Sequence, residues 1–231
     1  MNTVFPPAPV VTVPVVGTSA QFPVHRIYCV GRNYLEHAQE MGHSGREPPF
    51  FFMKPADAVL VATPGTLTPL PYPSLTKNLH YEIELVVALG KGGKNIAVAQ
   101  AAEHIFGYAV GLDMTRRDLQ NEMKAQGRPW SIGKGFDHSA PIGPITPKDA
   151  AGDVAHASIN LQVNQVTRQN SNIEQLIWNI SETICQLSAA WELQAGDLIY
   201  TGTPAGVGAV LPGDLLKGSI SGLTDIELKV V

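Results

Sequence analysis

His80-Tyr81-Glu82-Ile83-Glu84-Leu85-Val86-Val87-Ala88 begins with alternating polar and apolar residues, the pattern of a β-strand. Successive strand side chains point to opposite faces, so Glu82 and Glu84 project together while Tyr81, Ile83 and Leu85 point the other way. From Leu85 to Leu89 the chain is apolar without alternation, which predicts a strand dipping into an interior covered on both faces. Two adjacent carboxylates repel unless a cation neutralises them, and an all-oxygen pair suits a hard divalent ion such as Mg²⁺ or Mn²⁺. The competing reading makes Glu82 and Glu84 the wet face of an antiparallel strand, and the unbroken apolar run argues against it. A third acid, Asp113, closes a second apolar run, Ile105 to Leu112, and can complete a three-carboxylate site.

On the N-terminal side, residues 1–24 are rich in Pro, Val and Thr and read as an extended arm without a helix, with the main folded domain expected over 25–231. Arg26 to Gly31 reads as a short strand. Asn33 is placed to cap a brief helix, Tyr34 to Met41, which Gly42 ends. The polar segment Gly42 to Pro49 is a candidate lid, and Phe50 to Lys54 is strand-like. Pro69-Leu70-Pro71-Tyr72-Pro73 is expected to be irregular because its prolines cannot donate to a ladder.

On the C-terminal side, Val98 to His104 reads as a helix and Ile105 to Asp113 as a buried strand. Thr115 and Asp118 resemble a capping arrangement for a helix over Arg116 to Ala125, on which Arg117 and Gln120 share a face. Ile159 to Asn164 alternates as a half-exposed strand turning at Asn164-Gln165. Ser171 and Glu174 predict a capping box opening a long helix to about Gln194, closed by Gly196. The tail from Asp197 reads as hairpins of a rolled sheet.

With 231 residues the chain can bury a substantial core as one large domain. A net charge of -4 without basic runs excludes a phosphate-tracking nucleic-acid surface. Cys29 and Cys185 sit in apolar surroundings and read as core residues of a reduced protein. No apolar run is long enough to span a bilayer, so a soluble, cytoplasmic protein is expected. Twenty-two glycines and 18 prolines imply many turns and short strands rather than a helical bundle.

His37 and Glu40 stand at i and i+3, the spacing of a general base oriented by a carboxylate, or of a surface pair worth a few tenths of a kcal/mol. Lys134 is one cation in the glycine-flanked run Ser131 to Asp137, placed to face an anionic substrate or to be a solvated turn lysine. Thr201 to Gly208 lacks the Gly-Lys-Ser/Thr of a phosphate loop, and Leu211-Pro212-Gly213 leaves no room for a following helix, which excludes nucleotide binding. Its backbone N–H groups and threonine hydroxyl can still hold a carboxylate or an oxyanion.

Several motifs in order carry a resemblance to a known family: Cys29-Val30-Gly31-Arg32-Asn33-Tyr34, Phe52-Met53-Lys54-Pro55, Tyr81 to Leu85, Gly111-Leu112-Asp113-Met114-Thr115, Arg117 to Gln120, Trp130 to Lys134, and Thr201-Gly202-Thr203-Pro204. With these the sequence resembles the fumarylacetoacetate hydrolase family, in its short branch of acylpyruvate and fumarylpyruvate hydrolases and oxaloacetate decarboxylases. The resemblance implies an α+β fold, a β-rich roll or sandwich of mixed sheets with peripheral helices, assembled as a homodimer. It implies that Glu82, Glu84 and Asp113 hold Mg²⁺ or Mn²⁺, that His37 and Glu40 form a water-activating dyad, and that Lys134 completes the catalytic set. Arg117, Gln120, Thr203 and Lys54 would contact the carboxylate and keto oxygens of a diketo acid. The activity implied is hydrolytic C–C cleavage of fumarylpyruvate or another acylpyruvate, with oxaloacetate decarboxylation as the alternative.

Overall fold

The computed structural model describes residues 2–35 and 46–231. Among them the largest sheet has eight strands, with Ile83–Leu89 at its centre between Leu198–Tyr200 and Ile105–Leu112, antiparallel to both. The sheet continues outward through Ile27–Gly31 to Phe50–Lys54 on one side, and through Ala140–Ile142 to Val59–Val61 on the other. Parallel and antiparallel pairs mix, since Ile27–Gly31 runs parallel to Leu198–Tyr200.

The unbroken apolar run of the central strand has the cause read from the sequence. Ile83, Leu85, Val87 and Leu89 enter one core, which extends to Ile159, Leu161, Ile220 and Leu228 of a five-stranded sheet. Val86 and Ala88 enter a second core with Ala109, Leu198 and Tyr200. Each fully buried aliphatic side chain contributes about 1.5–3 kcal/mol, so a strand with both faces covered is strongly held. Glu84 lies on the Val86–Ala88 face, at the end where that core stops, and its cross-strand partner is Gly111. A Cβ on Gly111 would come within 2.5 Å of Val86 and 2.7 Å of Tyr200, so the glycine is what lets the strands close beside the acid.

Five expectations are corrected. The strand through His80 to Ala88 is interrupted at Glu82: Leu79–Tyr81 belongs to a separate three-stranded sheet and Ile83–Leu89 to the large one. The helix expected from Ser171 is absent there, because Val166–Asn172 is the second strand of a hairpin with Ser158–Val163. Asn164 and Gln165 make its two-residue turn, both at positive φ. The helix begins later, at Ile180–Ala190, where Asn179 and Glu182 form the capping box. Of the apolar residues at helical spacing in this segment, Ile173, Leu176, Ile184 and Leu187 are buried and Ile177, Ile180 and Trp191 half-buried, and only Ile180, Ile184 and Leu187 of them lie in the helix.

Thr115 and Asp118 do not cap Arg117–Ala125; Asp118 accepts instead from the Thr76 hydroxyl at 2.6 Å and the Lys77 N–H at 3.0 Å. Thr68–Leu70 does pair, parallel to Ile226–Val230, and Pro69 is tolerated because this is the edge of its sheet. Val98–His104 is a 3₁₀ helix.

The N-terminal stretch is two things. Residues 2–10 are exposed, whereas Thr12–Pro14 and Gln21–Pro23 form a two-stranded ribbon that inserts Val13, Val15, Phe22 and Val24 into the second core. Deleting residues 2–10 is therefore expected to leave the melting temperature nearly unchanged. Deleting 2–24 removes four buried side chains and should lower it steeply; equal melting temperatures for the two truncations would contradict this.

Candidate active site

The interruption at Glu82 builds the site. The Asp113 N–H donates to the Glu82 carbonyl at 2.8 Å, so the chain leaves the ladder with the two acids locked together by backbone. Glu82, Glu84 and Asp113 each offer an oxygen, and those oxygens all lie within 4.8 Å of one another. All three residues are at least 95% buried. Sequence spacing brought the first two together; the antiparallel pairing of Ile83–Leu89 with Ile105–Leu112 brings in the third.

Three cations face them. The Lys134 ammonium lies 2.7 Å from Glu82 Oε2, 2.7 Å from Asp113 Oδ2 and 2.7 Å from the Thr115 hydroxyl. It is 2% exposed, which removes the solvated-turn alternative. Burial alone would push this ammonium down, but Asp113 and Glu82 outweigh it and the net shift is upward, so Lys134 stays charged. The Lys54 ammonium lies 2.8 Å from Asp113 Oδ1 and also donates to the backbone carbonyls of Met114 and Lys134, one layer behind the acids.

Arg117 pairs with Glu82 and donates to Gln120 Oε1 at 2.6 Å. Both project from one face of Arg117–Ala125, as their i, i+3 spacing predicts. Gly133 sits where a Cβ would come within 3.0 Å of Gln120, so the short helix Ser131–Lys134 packs close enough to deliver Lys134.

Glu84 is different. Among the described residues it has no ion pair, and its partner is the Gly202 N–H at 2.8 Å from Oε2. The Thr201–Gly208 loop thus does hold a carboxylate, and it is the protein's own. Gly202 has φ +104°, and a Cβ there would come within 2.7 Å of Asn33, so only glycine brings this N–H to Glu84. Burial, then Asp113, then Glu82 push the Glu84 carboxyl well above the usual range. The ionised form of Glu84, buried beside two other carboxylates and without a cation of its own, is what a divalent cation would stabilise, and three carboxylates are a donor set suited to Mg²⁺ or Mn²⁺.

Glu82, Glu84, Asp113, Arg117, Gln120, Lys134 and Thr203 line one cavity, walled by Phe50, Phe52 and Trp130. His37 and Glu40, the expected dyad, most of the helix expected over Tyr34 to Met41, and half of the candidate lid, residues 42–45, lie outside the described residues. The root of that segment is described, and Asn33 ties it to two other parts of the chain. Its amide donates to the carbonyls of Trp178 at 2.9 Å and Thr201 at 2.8 Å, and accepts from the Trp178 N–H at 2.8 Å.

Two residues of the site were missed by sequence reasoning. His80 accepts from Arg117 Nε at 3.4 Å, and its pKa is lowered to about 4 by burial and then by Arg117, so it is a neutral acceptor for the guanidinium. Gln169 is fully buried between the acid strand and the Thr203 loop. No signal could have found it, since Val166–Asn172 has no apolar alternation to mark an inward face.

The model of the fumarylacetoacetate (FAA) hydrolase C-terminal domain matches residues 26–231. The chain belongs to the fumarylacetoacetate hydrolase family. Its solved relatives include the crystal structure of a fumarylpyruvate hydrolase from Pseudomonas aeruginosa in complex with Mn²⁺ and pyruvate. That protein is 56% identical, with a TM-score of 0.98 over 100% of this chain and 99% of the other. A fumarylpyruvate hydrolase from Ralstonia sp is 47% identical over 80% of this chain and 93% of its own. A mitochondrial oxaloacetate decarboxylase from Dictyostelium discoideum is 38% identical over 89% of this chain and 94% of its own. The α+β architecture of mixed sheets with peripheral helices expected from the sequence is the family's fold.

The buried charges make one prediction here. Lys134→Met leaves Glu82 and Asp113 short of a cation, and breaking a buried pair of this kind costs about 3–5 kcal/mol. Melting of the metal-free variant should reveal that loss, with part recovered on adding Mg²⁺. An unchanged melting temperature would contradict the charge balance described.

Proposed function

We propose that this protein hydrolyses the C–C bond of a 2,4-diketo acid, fumarylpyruvate above all, to pyruvate and fumarate. The observation that carries the reading is the buried triad Glu82, Glu84 and Asp113 beside Lys134 and Arg117, in a chain 56% identical over its whole length to a fumarylpyruvate hydrolase bound to Mn²⁺ and pyruvate. Water adds its oxygen to the distal carbonyl carbon, the bond from that carbon to C3 breaks, and C3 leaves with the electron pair and takes a proton. The products are a carboxylate and pyruvate.

Glu82, Glu84 and Asp113 would hold Mg²⁺ or Mn²⁺, which would supply Lewis-acid polarisation of the 2-keto acid. The protein's side chains supply the rest. His37, oriented by Glu40, takes the proton of the attacking water. Lys134 and Arg117 place positive charge where the leaving carbanion develops its negative charge as the pyruvate enolate. Arg117, Gln120 and Thr203 receive the substrate's carboxylate and keto oxygens. Lys54, notwithstanding its family position, acts here through Asp113, as its counter-ion. A homodimeric, cytoplasmic enzyme accompanies this reading; among the described residues no helix is long and apolar enough to cross a membrane.

The second reading, oxaloacetate decarboxylation, is favoured by the 38% identical Dictyostelium relative. It shares the enolate but needs no nucleophilic water. Comparing kcat/KM for fumarylpyruvate, acetylpyruvate and oxaloacetate tests the two; a preference for oxaloacetate would reverse their order. Metal binding is tested apart from turnover. At a concentration 100-fold above Kd, Mg²⁺ or Mn²⁺ should stabilise the fold by ~2.7 kcal/mol, and no stabilisation by either ion would contradict the metal assignment.

A further inference from the structure

We propose that Gln169 is a positioning residue that commits the Thr203 hydroxyl to donate into the cavity, toward an oxygen of the bound keto acid. The proposal rests on the reading of that cavity as a keto-acid site. Gln169 stands on Val166–Asn172, outside the large sheet, and its side chain crosses to two separate parts of the site. Its Oε1 accepts from the Ile83 N–H at 3.0 Å, and its Nε2 donates to the Pro204 carbonyl at 2.8 Å and to Thr203 Oγ1 at 2.8 Å.

The orientation of this amide is unique. An Ile83 N–H can only donate, so it requires the amide oxygen. The Pro204 carbonyl can only accept, so it requires the amide nitrogen. With the NH₂ group thus placed, its second hydrogen goes to Thr203 Oγ1. A hydroxyl that accepts on one side has its own proton left to give. Among the described residues the Thr203 hydroxyl donates to no protein acceptor, and Thr203, 3% exposed, lines the cavity with Arg117 and Gln120. The acceptor left for it is an oxygen of whatever the cavity binds. A bond that is neutral at one end and anionic at the other is of the stronger, charge-assisted kind.

The same amide also holds the gap between the acids. Ile83 lies where the chain passes from one sheet to another, between Glu82 and Glu84, and its N–H is buried. Gln169 satisfies it in place of a strand neighbour. One side chain therefore fixes both the spacing of two carboxylates and the polarity of a threonine.

Gln169→Glu separates these two jobs. Its carboxyl still accepts from Ile83, but in either protonation state it has at most one O–H for two acceptors. Because the Pro204 carbonyl can only accept, the Thr203 hydroxyl has to turn and donate to the new carboxyl. Pyruvate binding in saturating Mg²⁺ should then weaken roughly 10- to 100-fold, the range of one hydrogen bond to a charged group. Thr203→Val should weaken it by a similar factor, and Thr203→Ser should restore it. The double variant should be no weaker than the weaker single, because both changes remove one donor. The Mg²⁺-induced rise in melting temperature should persist in Gln169→Glu.

Should that variant fail to fold, Gln169→Met serves. It leaves the hydroxyl free to turn, so pyruvate binding should fall between wild type and Thr203→Val, with no further loss when the two are combined. Factors that multiply in the double variant, in either series, would overturn the assignment of Gln169 while leaving the keto-acid reading intact. A wild-type protein that binds no pyruvate would instead remove that reading, and this assignment with it.

Discussion

Glu84→Gln is expected to lower turnover by on the order of 10²-fold or more, since a Lewis acid contributes several kcal/mol and the variant loses one of its three charged ligands. The fold should survive, because the Gly202 N–H keeps an oxygen to donate to. The metal-free variant should even melt higher than wild type. The Glu84 carboxyl is raised by burial and by Asp113 and Glu82, so its ionised form opposes folding. That opposition appears as pH rises through the ordinary carboxylate range and is absent in acid, where the group is neutral in both states. The gain should therefore be present at pH 7 and vanish toward pH 4. Asp113→Asn should lose activity similarly but without that gain, since Asp113 is paired with Lys54 and Lys134. Full Mg²⁺-dependent turnover in Glu84→Gln would remove the metal assignment.

His37→Ala is expected to cut cleavage of fumarylpyruvate or acetylpyruvate by about 10²–10⁴-fold, the usual worth of general-base assistance. Any oxaloacetate decarboxylation should fall much less, because it needs no activated water. Arg117→Ala should weaken both reactions, since each substrate presents an anionic keto acid to the same guanidinium. The measurement is kcat/KM for each substrate with each variant. Equal loss of both reactions in His37→Ala, with metal-induced stabilisation intact, would mean that the histidine closes or places rather than activates water.

What the sequence made legible was local. The paired acids could be read from period-two spacing, and Arg117 with Gln120 from i, i+3 spacing, because a regular element translates sequence distance directly into a shared face. The central strand's double burial could be read from its unbroken apolar run. What was hidden depended on partners far along the chain. Ser171 and Glu174 satisfy the local rule for a helix start, yet the hairpin with Ser158–Val163 claims that segment, and tertiary pairing outweighs a cap worth about 1 kcal/mol. The break at Glu82 arises because Leu79–Tyr81 pairs with Thr115–Arg116 and Gly208–Val210, not with the strands beside Ile83–Leu89. Lys134 was visible as a lone cation, but its partners are 52, 21 and 19 residues away. Gln169, 86 residues from Ile83, carried no mark at all.

The most direct test of the account is to incubate the purified protein with fumarylpyruvate and quantify products by chromatography, with Mg²⁺ or Mn²⁺ and again after removal of divalent ions by a chelator. The account predicts one pyruvate and one fumarate for each substrate consumed, activity lost on chelation and restored by either ion. Absence of fumarate and pyruvate with metal present, or undiminished turnover in the chelator, would contradict it.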